Sequence, residues 1–377
     1  MERVDDWLAL AQGMMSQPTV PLVEDLPAAY VIDFAEARPG LSADHDDAGN
    51  VVVRYTGDGA PGDRPLVLVA HLDHPGFAVE DAAGGEATLS FRGGLGLSAA
   101  VTGAPIDFFL AGRVEPIGRG ELIAAEGDNG RLARARARVL DGDAEPGGFA
   151  MWAFPGFNLD GGHIEGRVCD DLLGGAVVLS ALDELARRAP EAVAVWGVFT
   201  RAEEIGFLGA LEAIRLGTVP GDACVLSLEC SKALADAPQG GGIIVRVGDR
   251  ASIFDPGVTA ALAAAAARRA AQDPGFRWQR KLMDGGACEA TAFCAAGYRA
   301  SGLALPLGNY HNALDDPTSG AGVGPEHVLV DDYVAGVQLL VELACSPPLL
   351  DRAPGPPAWL AERSDRARAT LTGAPRA

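Results

Sequence analysis

The sequence is short of the motifs that most directly announce a chemistry. No Gly-x-Gly-x-x-Gly follows a strand pattern and no Gly-x-x-x-x-Gly-Lys-Ser/Thr occurs, so nothing is ready-made to cradle a nucleotide's phosphates. Gly-x-Ser-x-Gly is missing too, which leaves a serine nucleophile on a sharp elbow without support. No apolar run approaches the roughly 20 residues that a membrane span needs. The six cysteines (Cys169, Cys224, Cys230, Cys288, Cys294, Cys345) form no Cys-x-x-Cys pair and sit in apolar settings, which predicts reduced core thiols and a reducing cytoplasm. The opening Met1-Glu2-Arg3-Val4-Asp5-Asp6 is acidic and lacks a signal-peptide plan. Basic residues are scarce, 30 against 51 acidic ones, for a formal net charge of −21. That excess argues against nucleic acid and anionic lipid as partners. It suits a soluble protein, most of the charge being simple solubilisation, and a cleft that concentrates cations.

What is present is a long globular chain, 377 residues and 48% hydrophobic, enough for two or more domains and a large core. Buried-strand patterns at 51–55, 65–70, 194–200, 224–228, 243–247 and 300–305 alternate with helical patterns at 176–188, 207–216, 258–272, 287–296 and 332–345. Amphipathic segments at the start predict two more helices, one around Trp7 to Ala11 stopped by Pro18 and Pro21, the other Ala28 to Ala37. Between Phe77 and Ala153 the pattern changes to short strand candidates (87–91, 106–110, 121–125, 133–139) parted mostly by Gly-rich or Asp-Gly turns. The expected architecture is therefore α/β, a mixed, mostly parallel sheet sandwiched by helices, with an inserted small all-β domain. Its segments are a first catalytic part at 1–76, the insertion at 77–156, a second catalytic part at 157–346 and a tail at 347–377. A Gly57–Arg64 turn, a helix stop at Pro190 and a loosely docked tail from Pro347 complete the expectation.

The polar residues that punctuate the buried strands carry the functional reading. The run Ala194-Val195-Trp196-Gly197-Val198-Phe199-Thr200 ends at Arg201-Ala202-Glu203-Glu204. Neighbours on an extended backbone point in different directions, so Glu203 and Glu204 can serve one on a proton and one on a metal. Alone, a Glu-Glu pair is most often a solvated turn. It is not alone. His71 closes the strand at 65–70, Glu229 closes the strand at 224–228, His311 follows the strand at 300–305, and Asp170 stands at the start of a helix. Sites in open α/β sheets form just past the carboxyl ends of strands. If these strands are parallel neighbours, two imidazoles and three carboxylates meet at one sheet edge, a nitrogen and oxygen set that suits zinc, cobalt or manganese. Asp73, two residues beyond His71, can hold its ring. An Asp before a helix is commonly only a cap; a carboxylate after so apolar a strand as the one leading to Glu229 needs a partner. His45, His74, His163 and His327 read as surface or packing residues.

His-x-Asp at 71–73, Asp170-Asp171 with Gly174, Glu203-Glu204 and Tyr310-His311, in that order and approximate spacing over residues 45–345, resemble the M42 aminopeptidases of the glutamyl and deblocking type, relatives of the M20 and M28 zinc peptidases. Asp47-Ala48-Gly49-Asn50-Val51-Val52 and the all-β insertion are similar to that family as well. The resemblance implies a zinc-peptidase-like fold and two divalent metal ions, zinc by first expectation. Asp170 would bridge them, Glu204 and His311 completing one site and His71 and Glu229 the other. Glu203 would be the general base, Asp73 would orient His71, and Asp171 would shape the turn beside Asp170. The implied reaction is hydrolysis of an amide, most simply removal of N-terminal residues from a peptide, in a homo-oligomer. A deacylase of N-acyl amino acids or small amides and a non-catalytic binding protein are the alternatives. Departures lie at His74 (often Glu in the family), Leu172 (Arg), Glu229 (commonly Asp) and Gly285-Gly286-Ala287-Cys288-Glu289-Ala290 (usually Gly-Gly-Thr-Asp-Ala), and they bear on substrate preference rather than on the ligand set.

Overall fold

The computed structural model describes residues 3–55, 64–188, 194–315 and 321–346, with six positions between 360 and 371. The anticipated Gly57–Arg64 turn, the stop at Pro190 and the tail from Pro347 fall wholly or almost wholly outside the described residues. In chain order the elements are α1 (Val4–Met15), α2 (Asp25–Glu36), β1 (Leu41–His45), β2 (Val51–Tyr55), β3 (Leu66–His71), β4 (Gly76–Ala83), β5 (Glu86–Arg92), β6 (Pro105–Phe109), β7 (Gly118–Asp128), β8 (Arg131–Gly142), β9 (Phe149–Trp152), β10 (Asn158–Asp160) and β11 (His163–Gly166). They continue with α3 (Leu172–Arg188), β12 (Val195–Thr200), α4 (Leu208–Leu216), β13 (Cys224–Lys232), β14 (Ile243–Asp249), α5 (Pro256–Gln272), β15 (Trp278–Met283), α6 (Glu289–Ala295), β16 (Arg299–Leu307), β17 (Glu326–Leu329) and α7 (Val330–Ala344).

Eight strands form one sheet in the order β1-β2-β12-β3-β13-β16-β14-β15. Four pairings are parallel, namely β12 with β3, β3 with β13, β13 with β16 and β14 with β15. The other three are antiparallel. Burial on both faces follows from the strand period of two. Leu66, Leu68 and Ala70 of β3, with Cys224, Leu226 and Leu228 of β13, join the core formed with α1, α2, α3, α5 and α7. Val67 and Val69 of β3 and Val225 of β13 turn the other way and pack with Ala210 of α4 and Phe293 of α6. The sheet is thus the middle of three layers.

After β3 the chain leaves this sheet and closes a barrel in the order β4-β5-β8-β7-β6-β9 around its own core, which includes Phe77, Leu89, Ile106, Phe108, Leu122 and Trp152. β10, β11 and β17 form a small third sheet. Strands β1, β4, β9, β10, β11, β15 and β17 were not among the sequence candidates, being short, polar or interrupted. Among the described residues no helix is long and apolar enough to cross a membrane.

Candidate metal centre

Three parallel neighbours, β12, β3 and β13, together with β16, point their carboxyl ends at one edge of the sheet. His71 is the last residue of β3, the Arg201–Glu204 turn follows β12, Asp170 precedes α3, and His311 sits in a 3-10 turn, Tyr310–Asn312, after β16. Glu229 lies inside β13 rather than at its end: the strand runs on to Lys232, paired with β16 throughout. The sequence reading stopped it where the apolar run stopped, whereas the ladder continues through a polar stretch.

These side chains converge and are buried: His71 1%, Asp170 2%, Glu203 8%, Glu229 8% and His311 6% exposed. The two carboxylate oxygens of Asp170 face different imidazoles, Oδ1 lying 3.5 Å from His71 Nε2 and Oδ2 3.4 Å from His311 Nε2. Glu204 Oε1 is 3.1 Å from His311 Nε2, and Glu203 Oε2 is 3.9 Å from His71 Nε2. Ligand atoms of His71, Asp170 and Glu204 lie within 4.8 Å of one another, and so do those of His71, Glu203 and Glu229. Among the described residues, Asp170 Oδ1, Glu229 Oε1 and His311 Nε2 are buried without a hydrogen-bond partner. Buried polar atoms carry a large cost unless something satisfies them. Three such atoms, of the types that bind hard and borderline divalent cations, fit a metal pair.

The main chain that carries the ligands is held by buried side chains. Four successive amides of the β12 turn are each accepted: Arg201 by Asn50 Oδ1 (3.1 Å), Ala202 by Glu24 Oε1 (3.1 Å), Glu203 by Asp73 Oδ1 (2.9 Å) and Glu204 by Asp73 Oδ2 (3.1 Å). Ala202 adopts φ 53°, a left-handed conformation of the kind that sites hold only when their surroundings dictate it. The Asp73 carboxylate is 3.6 Å from His71 Nδ1, which is closer to the Asp73 carbonyl, 3.0 Å away. Asp73 therefore fixes the Glu203–Glu204 turn as directly as it faces His71. Glu326 accepts from the amides of Cys169 (2.7 Å), Asp170 (3.0 Å) and His311 (2.8 Å). His74, read from sequence as surface or packing, is 1% exposed, with Nδ1 2.5 Å from the Asp170 carbonyl and Nε2 3.0 Å from Asn312 Oδ1. Glu24 and Glu326 carried no signal in the sequence, since each acts through contacts with residues far along the chain, and Asn50 entered only within the Asp47–Val52 resemblance, with no role assigned.

The crowding of carboxylates sets the electrostatics. Burial pushes Glu203 well above the usual range, His71 pulling against it and Glu229, Glu204 and Glu289 adding to it. Burial likewise raises Glu229 to about 8 and Glu289 to about 7. Burial opposes charge on His71 and His311, but Glu203 beside the first and Glu204 beside the second outweigh it and raise both. Burial also opposes charge on Asp170, yet the two imidazoles hold it below the usual carboxylate value. A carboxyl raised in the folded state contributes stability below its unfolded pKa, and that stability is lost as pH rises through the folded value. The window runs from about 4.5 to about 8 for Glu229 and from about 4.5 to about 7 for Glu289. The melting temperature of chelator-treated protein should therefore fall from pH 5 to pH 8, and zinc or manganese should restore it most at the upper end, as a thermal-shift series would record.

A three-layer α/β scaffold with a barrel insertion and a buried histidine–carboxylate cluster able to hold a metal ion fits the class of metal-dependent peptidases. Within that class, residues 132–315 match the family described as M42 glutamyl aminopeptidase, a span that holds Asp170, Glu203, Glu204, Glu229 and His311. The match covers just under half of the chain, and with the solved structures below it supports a hydrolase of the M42 aminopeptidase type. No curated protein matches it in sequence. Among solved structures it resembles a TET aminopeptidase from a marine sediment Thaumarchaeota archaeon, with 18% identity over 93% of this chain and 99% of that one and a TM-score of 0.75. It also resembles the aminopeptidase APDkam598 of the archaeon Desulfurococcus kamchatkensis, with 19% identity over 95% and 100% and a TM-score of 0.75. The TET1 peptidase of Pyrococcus horikoshii, which can assemble into a tetrahedron or a large octahedral shell, aligns at 18% identity over 90% and 99% with a TM-score of 0.71.

Proposed function

We propose that the protein is a two-cation aminopeptidase that removes N-terminal residues from peptides. The observation that carries this reading is Asp170, whose two oxygens face two imidazoles on opposite sides. Asp170 would hold both cations, His71 and Glu229 completing one site and Glu204 and His311 the other, with zinc, cobalt or manganese as occupants. When bound, the cations would supply Lewis acidity and water acidified towards about pH 7. Glu203 is the proton carrier: it takes a proton from the attacking water and returns it to the leaving amine, so atoms and charge balance over the cycle. Asp73 orients Glu203 through its amide and faces His71. Residues 1–76 and 157–346 would form the catalytic domain and 77–156 the inserted one, in a homo-oligomer of the reducing cytoplasm. Metal analysis, with aminoacyl-anilides assayed against N-acyl amino acids under zinc, cobalt and manganese, tests the reading. Two equivalents of metal with anilide hydrolysis support it; turnover of only the acylated substrates would make the enzyme a deacylase, and no metal with no turnover a binding protein.

A cavity of about 290 Å³ opens beside Glu229, lined by Lys232, Arg246, Met283, Gly286 and Tyr310 among others. Arg246 is 3% exposed; its Nη1 donates to Ser231 Oγ at 3.5 Å, and its Nε has no partner among the described residues. A buried guanidinium short of acceptors favours a carboxylate, so we infer a preference for an acidic first residue. Arg246→Met should lower kcat/KM for a glutamyl-anilide by about 30-fold or more while sparing a leucyl-anilide. An equal loss on both substrates would remove the preference from Arg246.

A further inference from the structure

One support of the centre comes from outside the catalytic sheet. The Nδ1 of His311 is hydrogen-bonded to the carbonyl of Gly94. Gly94 belongs to the barrel, in the link between β5 and a 3-10 turn at Leu97–Ala99. That link is fixed from both sides. On the barrel side, the Leu132 amide donates to the Leu95 carbonyl (2.9 Å) and the Leu97 amide to the Gly130 carbonyl (3.0 Å), and Leu95 is buried in the barrel core. On the other side, Gly93 seats on Pro75, one residue beyond His74. With φ +116° it holds a conformation that suits glycine, and a Cβ there would lie 2.8 Å from Pro75 Cβ and 3.0 Å from its Cα. Arg92 Nη1 adds a third tie, donating to the Pro21 carbonyl (2.7 Å).

A carbonyl can only accept. A neutral imidazole that bonds it through Nδ1 must carry its proton there and present the Nε2 lone pair elsewhere. For His311 that direction is the acidic cage, with Nε2 3.1 Å from Glu204 and 3.4 Å from Asp170. Without a cation those carboxylates accept from a protonated Nε2, so they do not place the proton on Nδ1, and neither do Tyr310, stacked on the ring's face at 3.8 Å, and His74, edge-on at 6.1 Å. We propose that the barrel is a working part of the metal centre, its Gly94 carbonyl positioning His311 in the Nδ1–H tautomer so that barrel placement sets affinity for the cation on the His311 side. This rests on His311 being a ligand.

Two measurements test it. In zinc-loaded full-length protein labelled with ¹⁵N-histidine, with His311→Gln for assignment, His311 should show a protonated Nδ1 and an unprotonated, zinc-shifted Nε2. The opposite pattern in a protein that holds two zinc ions overturns the proposal and leaves the two-cation reading standing; a parent that binds no zinc sinks that reading instead. Second, Gly93→Ala pushes the link off Pro75. It should weaken one of the two zinc equivalents about 10- to 100-fold. Gly103→Ala is the matched control, since Gly103 also has positive φ, at +87°, but nothing lies within 4 Å of a Cβ there. It should leave zinc binding at the parent's level. A folded Gly93→Ala protein that binds both equivalents like the parent overturns the proposal; if that variant does not fold, the tautomer decides.

Discussion

Glu203→Gln is expected to cut kcat by about 10²- to 10⁴-fold, the usual worth of a positioned proton carrier, while folding normally and binding as much zinc as the parent. The substitution is close to isosteric, and the Glu203 amide keeps its bond to Asp73 because that bond uses the main chain. What changes is the ability to take and return a proton. Burial, helped by Glu229, Glu204 and Glu289 and opposed by His71, keeps the Glu203 carboxyl well above its ordinary value. The variant also separates two roles that geometry alone leaves side by side, since Glu203 lies within ligand range of His71 and Glu229. A base reading predicts two metal equivalents and lost turnover. A ligand reading predicts a lost equivalent. Metal analysis beside steady-state kinetics distinguishes them, and full turnover in the variant would remove Glu203 from the chemistry.

Much of the site's outline was legible because of one physical habit of α/β proteins. A strand buried on both faces is nearly all apolar, so a polar residue at its end stands out. His71 after Leu66 to Ala70, and Glu203-Glu204 after Val195 to Thr200, are of this kind, and both lie where the strands β3 and β12 end. Glu229 was found for a related reason but misplaced by one step of structure: Glu229 to Lys232 stay in the ladder because β16 supplies their hydrogen bonds, which hydrophobicity cannot reveal. Of the missed strands, β4 turns polar after Val79 and β9 is apolar and buried but only four residues long, and they pair because the barrel closes. Least legible were the acceptors that hold the main chain. Asn50, Glu24 and Glu326 lie 151, 178 and 157 positions from residues they bind; nothing local marks Glu24 or Glu326, and the stretch around Asn50 shows a resemblance without showing what its side chain holds.

Glu326 is where that hidden layer should show its largest effect. It is fully buried, and its carboxylate serves three amides on two different segments: Oε2 takes those of Cys169 and Asp170, Oε1 that of His311. It therefore ties the residue proposed to bridge both cations to a residue proposed to bind one. Hydrogen bonds to a charged acceptor contribute about 1.5–3 kcal/mol each, and stranding a buried donor costs a further penalty. Glu326→Ala strands three donors and should cost at least about 4 kcal/mol, enough to leave little folded protein. Glu326→Gln is the sharper experiment. Its single oxygen can keep the Cys169–Asp170 pair, but its NH₂ then meets the His311 amide, donor against donor. The 3-10 turn at Tyr310–Asn312, where His311 and Asn312 already hold φ of 54° and 61°, should move. The expected result is a folded protein that retains its first zinc equivalent and loses affinity for the second, with turnover falling in step. Calorimetric zinc titration of the Gln variant checks it. Two equivalents bound as tightly as in the parent would mean that His311 is held by its ring alone, and that the clamp formed by Glu326 serves folding rather than the centre.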